Sequence, residues 1–223
     1  MDNTAKRIFD FIFSLCGIIL SLPVSAIIFL LILLNDGWPV FYFQERVGKN
    51  GKLFKEIKFR SMVNEQEEGG SFMQAKKDDS RVTRIGRFLR ITAMDELPQL
   101  WNILKGEMSF VGPRALVACE TEAQNKLATN IFDVPGFRER SKVCPGLTGV
   151  AQVYAPRDIE RELKFKYDIW YIRNRDFFLD LYLILLSFLI TFRGKWEDGN
   201  DRFHYLGRGL KYRIESQIGL IKT

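Results

Sequence analysis

The residues of this chain best suited to chemistry are a run of arginines and the acid pair that follows it. The arginines stand at three-residue intervals, at Arg81, Arg84, Arg87 and Arg90. Asp95 and Glu96 come next, and Arg114 ends a Gly-Pro-Arg turn shortly afterwards. Guanidinium groups match the geometry of phosphate oxygens, and a carboxylate beside them can bind a divalent cation or act as a nucleophile. The combination predicts chemistry on a phosphate group.

The acid pair also has a purely structural interpretation. Thr92 or Asp95 can cap a helix that follows, and the helix dipole favours an acid in the first turn. The apolar face of this helix would be formed by Leu97, Leu100, Trp101 and Leu104. The helix would end at Gly106. Spacing alone favours the capping role, whereas the basic residues on both sides of the pair favour the catalytic one.

The arginines are not expected to share one role. On a helix, a three-residue spacing winds slowly around the surface and gives a basic stripe. We expect Arg81 and Arg84 to face solvent or lipid headgroups. Arg90 and Arg114 are the stronger candidates for a phosphate site, because they stand closest to the acid pair on either side.

A long apolar segment near the N-terminus is the first element that must position these residues. Residues 11–34 contain no charged side chain, and as a helix they would extend about 36 Å, enough for a hydrocarbon core of about 30 Å. Pro23 predicts a kink in the middle. Lys6 and Arg7 precede the segment, and further basic residues follow it. Positive charge marks the cytoplasmic side of a membrane, so basic residues at both ends are not well explained by a straight span. Two arrangements remain open: a helix that bends at Pro23 and returns, and one kinked transmembrane anchor.

A β-hairpin is predicted after the apolar segment. Residues 40–46 and 53–59 are rich in β-branched and aromatic side chains, and the Asn50-Gly51 turn signal lies between them. Lys58 and Arg60 stand at the end of the second strand and could face an anion. A solvated face is the more common use of such residues.

The remainder of the chain predicts a loop and three helices. Residues 64–80 are polar and predict a loop. Helices are predicted over residues 119–128, 157–174 and 181–192. The last is apolar but too short to span a bilayer, so it is expected to be buried or to lie in the membrane interface.

Composition narrows the partners and excludes several mechanisms. The formal net charge of +6 predicts an anionic partner such as a nucleotide, an anionic lipid surface or nucleic acid. His204 is the single histidine, so a histidine base or metal site would depend on it alone. Cys16, Cys119 and Cys144 form no CxxC pair, which argues against a disulfide framework or a zinc site. Neither GxxxxGK[ST] nor GxGxxG is present.

Five segments of the chain resemble the monotopic phosphoglycosyl transferases, a bacterial sugar-transferase family that begins surface glycan assembly on polyprenyl phosphate. They are KRIFDF at residues 6–11, FKEIKFRSM at 54–62, RFLRITAMDELPQLWNILKGEMSFVGPR at 87–114, PGLTGVAQV at 145–153 and FFLDLYLI at 177–184. The resemblance runs from the N-terminus to about residue 191. The order DELPQL, N.LKG, MS and VGPR is its most specific part.

This resemblance implies a fold. It is an α+β fold, mostly helical with a small β-hairpin, and membrane-monotopic with an N-terminal re-entrant helix-break-helix and interfacial amphipathic helices. Pro23 and Ser21 would form the membrane break. We expect a re-entrant membrane helix over residues 1–36, a cytoplasmic catalytic domain over 37–195 and a C-terminal tail over 196–223.

The resemblance also implies roles for individual residues. Asp95 would be the nucleophile that attacks the sugar-bearing phosphate of a UDP-sugar, releasing UMP and leaving a covalent phosphosugar. Asp95 and Glu96 would hold Mg²⁺, with Glu96 assisting the metal or the proton balance. Substrate-binding positions are carried over to Lys58, Arg60, Arg90, Pro113, Arg114, Thr148 and Gln152. Cys144 replaces an arginine that is usual in the family, so either Arg138, Arg140 or Lys142 substitutes for it or the nucleotide sugar is held differently.

The implied function is transfer of a sugar 1-phosphate from a UDP-sugar to polyprenyl (undecaprenyl) phosphate. This would be the first membrane step of bacterial surface glycan or glycoprotein glycan assembly. The partners would be the UDP-sugar, the lipid phosphate and the cytoplasmic leaflet of the bacterial inner membrane, with no nucleic acid and with a homodimer left open. The alternative is a non-catalytic membrane adaptor whose basic stripe binds anionic lipid.

Overall fold

The computed structural model describes residues 3–63, 79–121, 128–156, 159–192 and 208–220. The helices are α1 Asn3–Asn35, α2 Arg84–Ile91, α3 Gln99–Lys105, α4 Phe137–Arg140, α5 Val150–Tyr154, α6 Arg161–Asn174, α7 Phe177–Phe192 and α8 Arg208–Gln217. The strands are β1 Phe41–Val47, β2 Leu53–Phe59, β3 Ser109–Val111, β4 Cys119–Thr121, β5 Ala128–Asn130 and β6 Gly146–Thr148. The predicted α+β class, mostly helical with small sheets, is confirmed.

Helix α1 contains the predicted apolar segment. Its span Thr4–Asn35 is the one helix in the described ranges long and apolar enough to cross a membrane, by length and composition. Helical structure continues through Pro23, and the hydroxyl of Ser21 donates to the carbonyl of Ile18 at 3.2 Å. Most of the large apolar side chains of α1 are exposed. The helix therefore presents a surface suited to lipid rather than to water.

The predicted hairpin is confirmed, with β1 and β2 antiparallel and in register from Phe41↔Phe59 to Val47↔Leu53. Asn50 and Gly51 both have positive φ, at 56° and 77°. Asparagine and glycine tolerate this left-handed conformation, which explains why the turn forms at this dipeptide.

Helix α3 matches the apolar pattern of the sequence and ends where predicted. Gly106 has φ 88° and caps its C-terminus. The helix predicted over residues 119–128 is wrong at its two ends, because Cys119–Thr121 and Ala128–Asn130 form the antiparallel pair β4 and β5. The residues between these strands lie outside the described ranges.

Two of the short strands form a parallel pair beside the largest buried cluster. Strands β3 and β6 pair in parallel, with Ser109 opposite Gly146 and Val111 opposite Thr148. The largest buried cluster packs around them and includes Tyr167 and Tyr171 of α6. The buried cluster positions the Gly-Pro-Arg turn, because Arg114 lies three residues beyond the end of β3.

Part of the C-terminal region also packs onto this cluster. Ile214 of α8 is fully buried within it, and the indole nitrogen of Trp170 donates to the side-chain oxygen of Gln217 at 2.5 Å. The predicted loop at 64–80 is described only at its last two residues. The first part of the predicted tail, at 196–207, lies outside the described ranges.

Candidate active site

The acid pair lies in a short turn between two helices. Met94–Glu96 forms one turn of 3₁₀ helix, and Ala93 before it has φ 53° and ψ 21°. This left-handed residue ends the path of α2 and redirects the chain toward α3. Pro98 immediately precedes α3, and no side chain caps that helix end. The interpretation of Asp95 as the cap of this helix is therefore wrong.

Strand β2 supplies the nearest positive charge. The ammonium of Lys58 lies 2.7 Å from Oε1 of Glu96 and 3.8 Å from Oε2 of Glu56. Arg46 of β1 donates its Nε to the same oxygen of Glu56 at 3.1 Å. Side chains alternate between the two faces of a strand, so Glu56 and Lys58 share the hairpin face that the acid pair approaches.

The two acids differ in their electrostatic environment. Burial and the charge of Glu96 raise the pKa of Asp95 to about 7, against the opposing effect of Lys58 and Arg90. Burial would also raise the pKa of Glu96, but Lys58, Arg114 and Arg46 outweigh it, so that this pKa is lowered. Glu96 is therefore ionised near neutral pH, while Asp95 is balanced between its charged and neutral forms.

The two favoured arginines each act on one member of the acid pair, Arg90 on Asp95 and Arg114 on Glu96. Arg90 lies half-buried in the last turn of α2, with its Nη1 3.3 Å from the sulfur of Met62. Arg114 is exposed and acts on Glu96, as its effect on the pKa shows. An anion at the acid pair would therefore be flanked by guanidinium groups.

The expectation that Arg81 and Arg84 face solvent or headgroups agrees with the exposure of Arg84 but not with the half-buried, paired Arg81. Arg84 and Arg87 of α2 are exposed. Arg81 does not continue the stripe, because Thr83 caps α2 after it and its guanidinium pairs with Asp79 at 2.8 Å. The prediction of one helical stripe of four arginines is wrong at Arg81 for this reason.

Strand β6 holds the Gly-Pro-Arg turn through backbone bonds. The amide of Gly146 donates to the carbonyl of Pro113, which is buried, and the amide of Gly112 donates to the carbonyl of Thr148, both at 2.9 Å. The side chain of Gln152 donates to the carbonyl of Gly112 at 3.4 Å. The segments at 87–114 and 145–153 therefore meet at this turn.

Three predicted substrate-binding residues instead contact the protein. The guanidinium of Arg60 is buried and donates to the carbonyls of Asp36 and Gly37 at 2.5 and 2.7 Å, just beyond α1. The hydroxyl of Thr148 bonds to that of Ser187. Gln152 braces the turn described above. Their roles toward a substrate remain predictions.

The position where an arginine was expected holds a half-buried thiol. Cys144 lies with its sulfur 3.5 Å from the carbonyl of Gly106, and burial raises the pKa of this thiol. Among the three expected substitutes, Arg138 and Lys142 are exposed, while Arg140 is buried.

Sequence reasoning missed Glu56. The signal that could have found it is its two-residue spacing from Lys58 on a predicted strand, which places both on one face. With Arg46, these residues form a charged group beside the acid pair, and Lys58 is the member that connects the two.

The acid pair is a set of two carboxylates that could hold a magnesium ion together with a phosphate. Within the described ranges, no group of three or more histidine, cysteine or acidic side chains is placed to hold a metal. Mg²⁺ is commonly held by one or two carboxylates together with substrate phosphates and water. Burial and mutual repulsion raise the pKa of Asp95, and Asp95 and Glu96 together could supply such a pair of carboxylates.

Comparison with known proteins places the chain among sugar transferases. The family whose sequence model matches it, over residues 1–194, is described as bacterial sugar transferase. A UDP-glucose:undecaprenyl-phosphate glucose-1-phosphate transferase of Klebsiella pneumoniae is 40% identical over 194 residues, covering 85% of this chain and 40% of the relative. An undecaprenyl-phosphate galactose phosphotransferase of Salmonella typhimurium is 34% identical over 202 residues, covering 84% of this chain and 40% of the relative.

A shorter relative is matched over most of its length. The exopolysaccharide production protein ExoY of Rhizobium meliloti is 36% identical over 198 residues, which cover 82% of this chain and 84% of that protein. The chain thus spans about 40% of the length of the Klebsiella and Salmonella relatives.

Proposed function

We propose that this chain, which belongs to the bacterial sugar transferase family, transfers a sugar 1-phosphate from a UDP-sugar to polyprenyl phosphate and releases UMP. The observation that carries the proposal is the acid pair at Asp95 and Glu96, flanked by Lys58, Arg90 and Arg114. The Klebsiella and Salmonella relatives, whose names state transfers to undecaprenyl phosphate, support the same reaction class.

The chemistry is two displacements at one phosphorus atom. A carboxylate oxygen of Asp95 attacks the phosphate that carries the sugar, an O–P bond forms, and the bridging P–O bond to UMP breaks. An oxygen of the lipid phosphate then attacks the same phosphorus and releases Asp95 as a carboxylate. The products are UMP and a polyprenyl diphosphate sugar, and the kinetics are ping-pong.

The neighbouring residues reduce the repulsion between a carboxylate and a phosphate. Arg90, which acts on Asp95, and Arg114, which acts on Glu96, offer guanidinium groups to phosphate oxygens. Lys58 holds Glu96 ionised and fixed. Asp95 and Glu96 would hold Mg²⁺, which supplies charge neutralisation when bound. The balanced protonation of Asp95 allows it to be ionised as the nucleophile near neutral pH.

The membrane helix supports a lipid acceptor and a cytoplasmic site. Near its start, Arg7 donates to the carbonyls of Ile103 and Leu104 at 2.6 and 2.5 Å. Near its end, Ile32 is buried against the hairpin and α2. Both ends of α1 thus contact the globular part, which favours a re-entrant helix with both ends on the cytoplasmic face of the inner membrane over a spanning anchor.

An apolar cavity beside α1 suits the hydrocarbon part of such an acceptor. Its volume is about 640 Å³, and it lies between α1, the hairpin and Trp101 of α3. Ile57 and Phe59 line it, while Lys58 between them points to the opposite face and bonds Glu96. One strand therefore separates apolar surface from the charged site, which matches the two chemical ends of a lipid phosphate.

The test is UMP release from a panel of UDP-sugars by the purified protein in lipid, with and without polyprenyl phosphate. Release of up to one UMP per enzyme is expected without acceptor, and turnover with it. Asp95→Asn should abolish both, since an amide oxygen is a far weaker nucleophile. Asp133→Asn, at the exposed end of another 3₁₀ turn, is the matched control and should keep both. Chelation of divalent cations should stop the reaction, and added Mg²⁺ should restore it.

Other outcomes would redirect the proposal. Full turnover by Asp95→Asn would place the nucleophile elsewhere. UMP release that strictly requires the acceptor would exclude the covalent step. Binding to anionic vesicles without any UMP release from the panel would favour the membrane adaptor, whose binding should fall with salt and be indifferent to Asp95.

A further inference from the structure

Arg140 is a buried arginine with three partners. It ends helix α4 with 5% of its surface exposed. Its Nε donates to Oδ2 of Asp168 at 2.9 Å, its Nη2 donates to the carbonyl of Arg114 at 2.8 Å, and its guanidinium carbon lies 4.4 Å from the ring centre of Phe165. The sequence left open whether this arginine contacts substrate, and burial under these partners argues that it does not.

The contact to Arg114 is the one that reaches the candidate site. Its carbonyl is turned inward to Arg140, whereas its side chain is exposed and acts on Glu96. Arg140 therefore holds the backbone of a residue whose guanidinium faces the acid pair. Asp168 in turn fixes Arg140, because the fork of a guanidinium bonds two partners in one defined geometry.

The support from Arg140 differs from the other contacts of the turn. Strand β6 bonds the backbone at Gly112 and Pro113, and Arg46 reaches the carbonyl of Ala115 at 3.4 Å. The bond from Arg140 lies between these contacts and ties the turn to α4 and, through Asp168, to α6. Arg114 also pairs in parallel with Gly146, so a change at Arg140 would leave the turn attached to β6 but remove the bond that fixes the Arg114 carbonyl from the side of α4.

We propose that Arg140 is a positioning residue that acts through Arg114: its bond to the Arg114 carbonyl, fixed by Asp168, aims the Arg114 guanidinium at the phosphate of the nucleotide sugar. The inference rests on the proposed function, since it concerns the same site. It also assigns the buried pair a purpose in substrate binding beyond holding two helices together.

Two variants remove the bond from Arg140 to the Arg114 carbonyl, one keeping a positive charge beside Asp168 and the other replacing the whole ion pair. Arg140→Lys keeps the charge beside Asp168 but lacks the rigid fork that reaches both partners. Arg140→Met with Asp168→Leu replaces the whole pair by apolar side chains of similar volume, a change that buried pairs often tolerate. Both should raise KM for the UDP-sugar about tenfold, the loss expected for one charge-assisted hydrogen bond, with kcat for bound substrate changed less.

The matched control is a second arginine–acid contact between the same two helices. Arg173 of α6 bonds Glu139 of α4 at 3.0 Å, but this pair is exposed. Arg173→Lys should leave KM and kcat unchanged. KM does not depend on the fraction of folded enzyme, and thermal melting reports stability separately.

A double-mutant cycle separates positioning from general stability. If Arg140 acts through Arg114, Arg140→Lys should raise KM in the natural chain but not in an Arg114→Ala background. Equal effects in both backgrounds would overturn the proposal, as would an unchanged KM in the folded Arg140→Met, Asp168→Leu variant. A natural chain that releases no UMP would instead refute the proposed function.

Discussion

Asn102 offers the sharpest test of how the acid pair is held. Its side chain is fully buried in α3 and bonds three groups. Oδ1 accepts from the amide of Ile57 at 3.1 Å, and Nδ2 donates to the carbonyl of Lys55 and to Oε2 of Glu107, both at 2.7 Å. Because β1 pairs with the other edge of β2, the amide of Asn102 satisfies backbone groups that would otherwise lack partners.

The expected cost follows from these bonds. Asn102→Leu keeps the volume but removes three hydrogen bonds, one to a charged acceptor, and leaves the backbone groups of Ile57 and Lys55 unsatisfied. Such losses sum to about 2–5 kcal/mol, a large fraction of a stability of about 5–15 kcal/mol. The thermal midpoint should fall by roughly 5–15 °C. UMP release should fall as well, because the acid pair lies in the turn just before α3, and Asn102 ties α3 to the strand that carries Lys58.

The assay is thermal melting in lipid nanodiscs, followed by UMP release well below the new midpoint. Asn174→Ala is the control, because Asn174 also donates its amide to a carbonyl, that of Trp170 at 2.9 Å, but is exposed. Its cost should be about 0.5 kcal/mol or less. Asn102→Asp, nearly the same shape, should be as harmful as Asn102→Leu because it loses both donors and faces Glu107. This account would be refuted if the thermal midpoints of the Asn102 variants lay within 2 °C of the midpoint of the natural chain, a difference on the order of 1 kcal/mol.

Two further predictions concern the turn and the apolar cavity. Gly146→Ala should abolish UMP release, because a β-carbon there would overlap the backbone nitrogen of Gly112 and separate β3 from β6. Gly209→Ala is the control and should leave UMP release unchanged, because nothing lies within 4 Å of its β-carbon position. An active Gly146→Ala variant would refute the close approach of the two strands. Trp101→Ala should raise KM for the lipid acceptor about fivefold, on the order of 1 kcal/mol of lost apolar contact, without changing acceptor-free UMP release. Phe88→Ala removes an exposed aromatic residue outside the cavity and should change neither the KM for the lipid acceptor nor acceptor-free UMP release. Equal effects of Trp101→Ala and Phe88→Ala on that KM would count against the cavity as an acceptor site.

Local patterns in the sequence predicted the local parts of the structure. The hairpin follows from alternating aromatic residues and the Asn50-Gly51 turn, and α3 follows from its apolar spacing and Gly106. These signals depend on neighbours in the chain, since they reflect backbone preference and one buried face. The helix predicted over residues 119–128 failed because pairing between β4 and β5 decided its two ends, and a strand partner cannot be read from one segment alone.

The candidate site was predictable in its composition but not in its arrangement. Asp95, Glu96 and Arg114 stand out by residue type, and the family resemblance singled out the same positions. Lys58 could equally have been a solvated strand residue until Glu96 was placed 2.7 Å from it. Arg140 could equally have been a substrate contact until Asp168, from 28 positions further along the chain, was found against it. Burial depends on such distant partners, so sequence spacing cannot separate these roles.

The segment KRIFDF shows why a motif need not mark chemistry. Lys6 pairs with Asp180 of α7 at 2.6 Å, and Asp10 accepts from the amide of Phe110 in β3 at 3.2 Å. Arg7 holds the end of α3. The charged residues of this motif thus tie the start of α1 to the elements that carry the acid pair and the Gly-Pro-Arg turn. Under the proposed function, α1 embedded in lipid and fixed in this way would set the height of the site relative to the membrane, which a reaction between a soluble nucleotide sugar and a lipid phosphate requires.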